Sequence, residues 1–339
     1  VLSSLIKSPW QKYAAPVNAM SVGDALKQAG LDWDVSQSSV FFEDERGERH
    51  PLPGRIVNWR RNANDKAEVL GVVSPTYSIV QNSEAFGLLN TALYGANANF
   101  TAGGVAGGRS FLQAHIPDGA IEIDRNGDKD VINRYILVST SHDGTSALKI
   151  AETPIRVRCL NTLLMAEHSK DSISIRHTGD TAKEVALVRE TMEMGYRRIG
   201  ELKDVLQIMA HTPITEEMFI NYITAVYPLV IDRAVDDKKR NVGKVAFEQM
   251  AQAFLQGMGN RGESFYDAYN AVTEYVDHRR GVSPDRWVEY TAFGHGATMK
   301  RTALQLATDA VGIGSYASMG TFLKDEADTA IETLIRSRN

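Results

Sequence analysis

At 339 residues, 43% of them hydrophobic and 23% charged, the chain is too apolar for a disordered polypeptide and long enough to bury a sizeable core. The 37 Lys and Arg against 42 Asp and Glu leave a formal charge of −5, which argues against a protein that coats duplex DNA by bulk positive charge while leaving room for a local basic groove. No apolar window is long enough for a membrane span, the N-terminus lacks the apolar stretch of a secretory leader, and the single cysteine, Cys159, excludes an internal disulfide. These features predict a protein of the reducing cytoplasm. A first residue that is Val1 and not Met leaves room for residues upstream of it.

From about Ser36 to His177 the pattern is mostly strand. Val40–Phe42, Arg55–Trp59, Val69–Val73 and Tyr135–Val138 are short β-branched or aromatic runs separated by turn residues. Asn126-Gly127 is a hairpin turn signal, and Asp143-Gly144 marks another turn. Between them, Ser83–Tyr94 is helical, with Phe86, Leu89 and Leu93 on one face and Asn82 as the N-cap. Asn161–Glu167 is expected to be a second short helix.

After Thr178 the period changes. Val185, Val188, Met192, Tyr196, Ile199, Leu202, Leu206 and Met209 recur at steps of three and four, a single apolar stripe that Pro213 ends. Thr215 opens another helix, and more are predicted over Gly243–Gln256, Ser264–His278, Ala297–Ala310 and Thr321–Arg336. The tract Asp236–Arg240 is expected to be a solvated linker. The predicted architecture is α+β: a mixed or antiparallel β-sheet core with short helices over 1–180, then an all-helical domain over 181–339, with the boundary near Thr178–Lys183.

No phosphate-binding loop is present. Gly294-His295-Gly296 and Gly312-Ile313-Gly314 are followed by neither Lys-Thr nor a dinucleotide fingerprint and suit turns or helix junctions, so ATP-driven chemistry is not expected. Asp124, Asn126, Asp128 and Asp130 alternate like the start of a calcium loop, but Lys129 and Tyr135 stand where Gly and Glu are required. His142-Asp143 beside Ser139, Ser141 or Cys159 suggests a hydrolase, yet no nucleophile elbow accompanies them. Neither a catalytic set, nor a cofactor, nor a metal is predicted.

The cations on the β-segments are more informative. In Thr153–Arg158, Arg156 and Arg158 share a face, and in Ser172–His177 so do Ser174 and Arg176. If these strands are neighbours, one sheet face gathers Lys149, Arg156, Arg158 and Arg176 among hydroxyls, a surface suited to a sugar-phosphate chain. Gly103-Gly104 and Gly107-Gly108 before Arg109 could let a polymer approach the main chain, and Trp59-Arg60-Arg61 could supply a base-stacking platform. The alternatives are that alternating charge marks any half-exposed strand and that paired glycines mark a bulge or hairpin.

Four segments, LGVVSPTYSIVQNSEAF (Leu70–Phe86), SHDGTSALKIAETPIRVRCLNTL (Ser141–Leu163), SISIRHTGD (Ser172–Asp180) and YNAVTEYVDH (Tyr269–His278), together with Phe293-Gly294 and Lys300-Arg301, resemble the phage- and plasmid-borne family that carries domain of unknown function 932. The likeness runs from about Ser21 to Ala310. Ser74-Pro75-Thr76 replaces a more polar turn, and Leu160 stands where the family usually has Gln. The resemblance implies a phage or mobile-element setting. Replication modules of such elements often carry ATP-independent, oligomeric annealing proteins of the Red-beta/RecT kind, similar in outline to this architecture.

Two functions are therefore expected in competition, with a hydrolase using His142, Asp143 or His177 as a third alternative. The first is a DNA-binding recombination protein that anneals single strands in the host cytoplasm as a homo-oligomeric ring or filament. Arg156, Arg158, Lys149, Arg176 and Arg109 would then hold phosphates, and Trp59, Arg60 and Arg61 would stack. The second is a non-catalytic factor that binds a host protein, which the acidic total charge and long helices suit.

Overall fold

The computed structural model describes residues 9–93, 97–156, 158, 161–162, 173–175, 200–228 and 237–312. The expected sequence of strands followed by helices is what folds. The elements are α1 (Pro9–Tyr13), β1 (Ala15–Ala19), α2 (Val22–Gln28), β2 (Ser36–Glu43), β3 (Arg49–Arg61), β4 (Ala67–Val73), α3 (Asn82–Ala92), β5 (Asn99–Ala106), β6 (Arg109–Arg125), β7 (Asp128–Ser141), β8 (Leu148–Glu152), β9 (Ile155–Arg156) and β10 (Ile173–Ile175). Residues 200–211 are helical, and then come α4 (Glu216–Val226), α5 (Asp237–Gln256), α6 (Phe265–Glu274), π1 (Tyr275–Arg279), α7 (Pro284–Val288), π2 (Glu289–Phe293) and α8 (His295–Ala310).

The main sheet is antiparallel, in the order β1-β5-β6-β7-β8-β10, with β9 also pairing with β7. Its centre is the long β6–β7 hairpin, closed at Asn126-Gly127, where both residues take positive φ (57° and 90°) as the turn signal requires. Alternation divides the sheet cleanly. Leu112, Val138 and Ile150, opposite one another across three strands, face α2 and α3 with Leu26, Phe86 and Leu89. Phe111 and Leu137 face the other way, against Trp10, Trp287 and Ala292. The far end of the hairpin belongs to a third core, in which Ile121, Ile123 and Ile132 pack with Met250, Tyr266 and Tyr269 of the helices. Sheet and helices thus share a buried core.

Local signals set the helix starts. The Thr215 hydroxyl accepts the Met218 N–H at 3.2 Å and the Ser264 hydroxyl accepts the Asp267 N–H at 3.3 Å, satisfying donors that the first turn leaves unpaired. At α3 the cap is Gln81, one residue before the expected Asn82, in a reciprocal capping box with Glu84. Asn82 instead turns inward, with its amide donating to the Leu31 carbonyl.

Some expectations need correcting. The charged tract from Asp237 to Arg240 is the first turn of α5 and not a linker; strong helix formers such as Lys and Arg propagate a helix whose apolar residues lie further on. The strand Thr153–Arg158 shortens to β9, and Thr162 forms a bridge with Ile155 instead of belonging to a helix. The predicted helix Ser264–His278 forms as α6 followed by a five-residue π turn. The domain boundary at 178–183, most of the stripe from Val185, and Thr321–Arg336 lie outside the described residues.

A second sheet, β2-β3-β4, stands beside the first. One face is docked on it: the Asn58 amide donates to the His142 carbonyl at 2.6 Å, and a Cβ on Gly71 would lie 2.4 Å from the Asp143 Cα, so only glycine fits there. The other face is turned to solvent.

Candidate functional site

Arg156 and Arg158 do emerge on one side of the main sheet, but onto carboxylates. The Arg156 side chain is fully buried; its Nε and Nη2 meet Asp130 Oδ2 at 2.6 and 2.5 Å, Nη1 reaches Asn260 Oδ1 at 2.9 Å, and Nη2 donates to the Gly259 carbonyl. Arg125 donates to that same carbonyl and pairs with buried Asp267 at 2.7 Å. A Cβ on Gly259 would lie 2.7 Å from Arg156 Nη2, so the two guanidiniums converge on a backbone that only glycine can bring so near. Arg158 makes a bidentate pair with Asp128, which also receives Arg261 at 3.0 Å. The Arg158 guanidinium pulls the Asp128 carboxyl below its ordinary value. Here lies the main departure from the sequence reading: these two arginines are rivets between the β6–β7 hairpin and the 259–261 loop. Asp128 and Asp130, which looked like calcium ligands, are their counter-ions, while Asp124 Oδ1 accepts the Gly127 N–H and closes the hairpin turn.

Lys149 and Arg109 do share a sheet face. Register sets Arg109 opposite Ser141, Phe111 opposite Ser139, and Ser139 opposite Lys149, so the two cations flank a hydroxyl-bearing row. β10 pairs with β8, with Ser174 in register with Lys149, and not with the strand of Arg156 as expected. Arg156 sits opposite Ile132 and Lys149 opposite Ser139 on β7, so the two leave opposite faces of the sheet, and Arg176 lies outside the described residues. The row is not an open trough. Ser139 and Ser141 are buried, and Arg109 lies 5.1 Å over the Phe293 ring. Nor do the glycine pairs admit a polymer: a Cβ on Gly103 would strike Leu112 Cδ2 and Ala29 Cβ at 2.6 and 2.7 Å, and Gly107-Gly108 form the tight β5–β6 turn.

The third expected group is placed differently. Trp59 lies on the solvent face of the second sheet, opposite Ser36 on β2 and Val69 on β4, with its indole N–H donating to Ser38 Oγ at 2.9 Å. Around it are Val57, Val69 and Val72, the last two 65% and 49% exposed. Arg61 lies over the indole at 5.8 Å and is itself exposed, its pair with Asp65 being a solvated one at 3.4 Å. Arg60, one residue back, points to the docked face, where it covers Trp33 at 4.4 Å and pairs with Glu68. Trp59 and Arg61 therefore share a surface and Arg60 does not join them, as strand alternation dictates.

His142 is no exposed base. Its Nε2 meets Asn82 Oδ1 at 2.9 Å, Trp33 stands edge-on at 5.4 Å, and burial lowers its pKa from 6.5 to about 4. The Asp143 carboxylate is turned away onto Thr145. Cys159 and His177 lie outside the described residues. The folded ring stays neutral down to about pH 4, whereas the unfolded ring takes a proton near 6.5. This contribution to stability is thus complete above pH 6.5 and is lost as pH falls towards 4, by up to about 3 kcal/mol. Denaturant titrations between pH 7 and 4 should show that loss, and His142→Gln should flatten it.

One cluster could present ligands to a metal: Asp44, Glu48 and His50 at the β2–β3 turn place a donor atom each within 4.8 Å. His50 Nε2 already meets Asp44 Oδ2 at 2.9 Å, and Asp44 Oδ1 accepts the N–H groups of Arg46 and Glu48, so the carboxylate is occupied in closing the turn. None of the described helices is long and apolar enough to cross a membrane.

The model of the family described as domain of unknown function (DUF932) matches residues 69–303, about two thirds of the chain, and the chain belongs to that family. No curated protein and no solved structure matches it.

Proposed function

We propose that this family member binds single-stranded nucleic acid, without catalysis, on the outer face of the β2-β3-β4 sheet, as a recombination protein of mobile elements that anneals complementary strands in the host cytoplasm. The observation that carries the reading is Trp59 with Arg61 over its ring. A flat indole on an open sheet accepts any base by stacking, and a solvated guanidinium beside it is available to a phosphate. Ser36, opposite Trp59, and Ser38, bonded to its indole, add hydroxyls along the same surface. Arg156 and Arg158 have no part in this reading, because their charge is spent within the fold.

A fluorescently labelled oligonucleotide of mixed sequence, titrated at low salt, should bind, and the affinity should fall as salt rises, with little dependence on sequence. A folded protein that leaves the anisotropy unchanged at low salt overturns the reading.

A second reading, a protein-binding factor, is favoured by a specific observation on the same sheet. Five of its apolar side chains, Phe41, Phe42, Leu52, Val69 and Val72, are 40–65% exposed, which suits a protein interface as well as a nucleotide platform. A pull-down with nuclease present separates the two, since only a protein partner persists.

A further inference from the structure

Among the described residues β2 pairs with β3 alone, so its other edge offers a row of unpaired backbone N–H and C=O groups. Natural edge strands are usually blunted by proline, by an inward charge, by shortness or by a bulge on the free side. β2 has none of these. It runs eight residues, Ser-Gln-Ser-Ser-Val-Phe-Phe-Glu, with no charge before Glu43. The irregularity in the hairpin is on the β3 side, where five steps from Pro51 to Ile56 oppose two from Ser39 to Phe41. Prolines 51 and 53 are likewise on β3, leaving the outer edge of β2 continuous.

The side chains agree with the backbone. Phe41 and Phe42 point to opposite faces of the hairpin, and both are about half exposed, 48% and 49%. Arg49 covers the first at 5.0 Å and the His50 ring lies 5.4 Å from the second, yet neither ring is buried. Such a strand, apolar on both faces and open along one edge, is built for another strand.

We infer that β2 pairs antiparallel with β2 of a second copy about a twofold axis at Val40, joining the two three-stranded sheets into a continuous six-stranded one. The strand's own sequence selects this occupant and this direction. Antiparallel pairing about Val40 sets Val40 on Val40, Phe42 against Ser38, and Glu43 against Gln37 of the second copy, an apolar centre between polar neighbours. Parallel pairing would stack Glu43 on Glu43. The twofold arrangement is isologous and closes on itself, so two copies leave no edge of β2 unpaired. The outer face bearing Trp59 would then run on from one copy into the next.

The test uses the whole chain without nucleic acid, in a Cys159→Ser background, so that it stands apart from the binding reading. Light scattering over a concentration series should give twice the chain mass, and Val40→Cys should cross-link quantitatively under mild oxidation, while Lys66→Cys, at the opposite end of the sheet, should not. Val40→Lys, which sets two ammonium groups face to face, and Phe42→Lys should both return the monomer mass with unchanged circular dichroism. A wild-type chain that stays monomeric at every concentration overturns the inference. So does a dimer that cross-links through Lys66→Cys and not Val40→Cys, or one that survives both lysine variants.

Discussion

Arg156→Ala is expected to destabilise the protein by about 3–5 kcal/mol, the loss typical when one partner of a buried ion pair is removed. The cost lies less in the missing bonds than in what remains. Asp130, 1% exposed, would keep the Tyr266 hydroxyl at 3.2 Å and Arg158 Nε at 3.9 Å, but it would lose the guanidinium that grips one of its oxygens through two nitrogens. Asn260 Oδ1 and the Gly259 carbonyl would lose a donor as well. A change of both partners, Arg156→Met with Asp130→Leu, should recover much of the loss, because an apolar pair of similar volume leaves no stranded charge. Urea unfolding of the three proteins measures this. A folded Arg156→Ala protein with wild-type stability would contradict the assignment of Arg156 to the interior.

Asp277→Ala should be comparably severe, with a pH signature of its own. Asp277 and Lys300 are both fully buried and meet at 2.5 Å. The other carboxylate oxygen accepts the Thr162 N–H at 2.7 Å, and the residue's carbonyl takes the Trp287 indole N–H at 2.9 Å, so π1, α8, α7 and the segment after β9 all join at this residue. Burial lowers the Lys300 pKa below 10.5, and the Asp277 charge opposes that shift. Without Asp277 the lysine is pushed further down. A base whose folded pKa is depressed costs stability while the unfolded chain holds its proton and the folded one resists it. The defect should therefore be largest near neutral pH and shrink as pH rises towards 10.5. A loss of about 3–5 kcal/mol at pH 7 is expected, easing at pH 9–10, whereas the Arg156→Ala loss should not ease, since arginine does not titrate there. Denaturant midpoints of both variants at the two pH values separate the cases.

Much of the fold was legible because its signals are local. The Asn126-Gly127 and Asp143-Gly144 turns, the α3 stripe of Phe86 and Leu89, and the Thr215 and Ser264 starts each depend on residues within one turn or one strand. The common face of Arg109 and Lys149 comes instead from the register of β6, β7 and β8, which no local pattern sets, and alternation parts Arg60 from Trp59 and Arg61. The candidate site was less legible, for a physical reason. Alternation tells which side of a strand a cation leaves from; it does not tell what waits there. Arg156 meets Asp130 from 26 positions away and Asn260 from 104 positions away, and Asp277 meets Lys300 across 23, distances over which no periodicity speaks. Asp128 and Asp130 were visible as carboxylates, but they resembled the start of a metal loop. The opposite case is Val69 and Val72. Their β-branched run marks a strand but not which side of it is covered, and both are exposed because the second sheet buries one face only.

The measurement that bears most directly on the account is the affinity of Trp59→Ala for a single-stranded oligonucleotide, set beside that of the wild type at the same salt. Loss of one stacked base is worth about 1–3 kcal/mol, so affinity should fall roughly 5- to 150-fold while the unfolding midpoint barely moves. Equal affinity in the two proteins, or tryptophan fluorescence in the wild type that does not respond to the oligonucleotide, would show that this sheet face is not where nucleic acid binds.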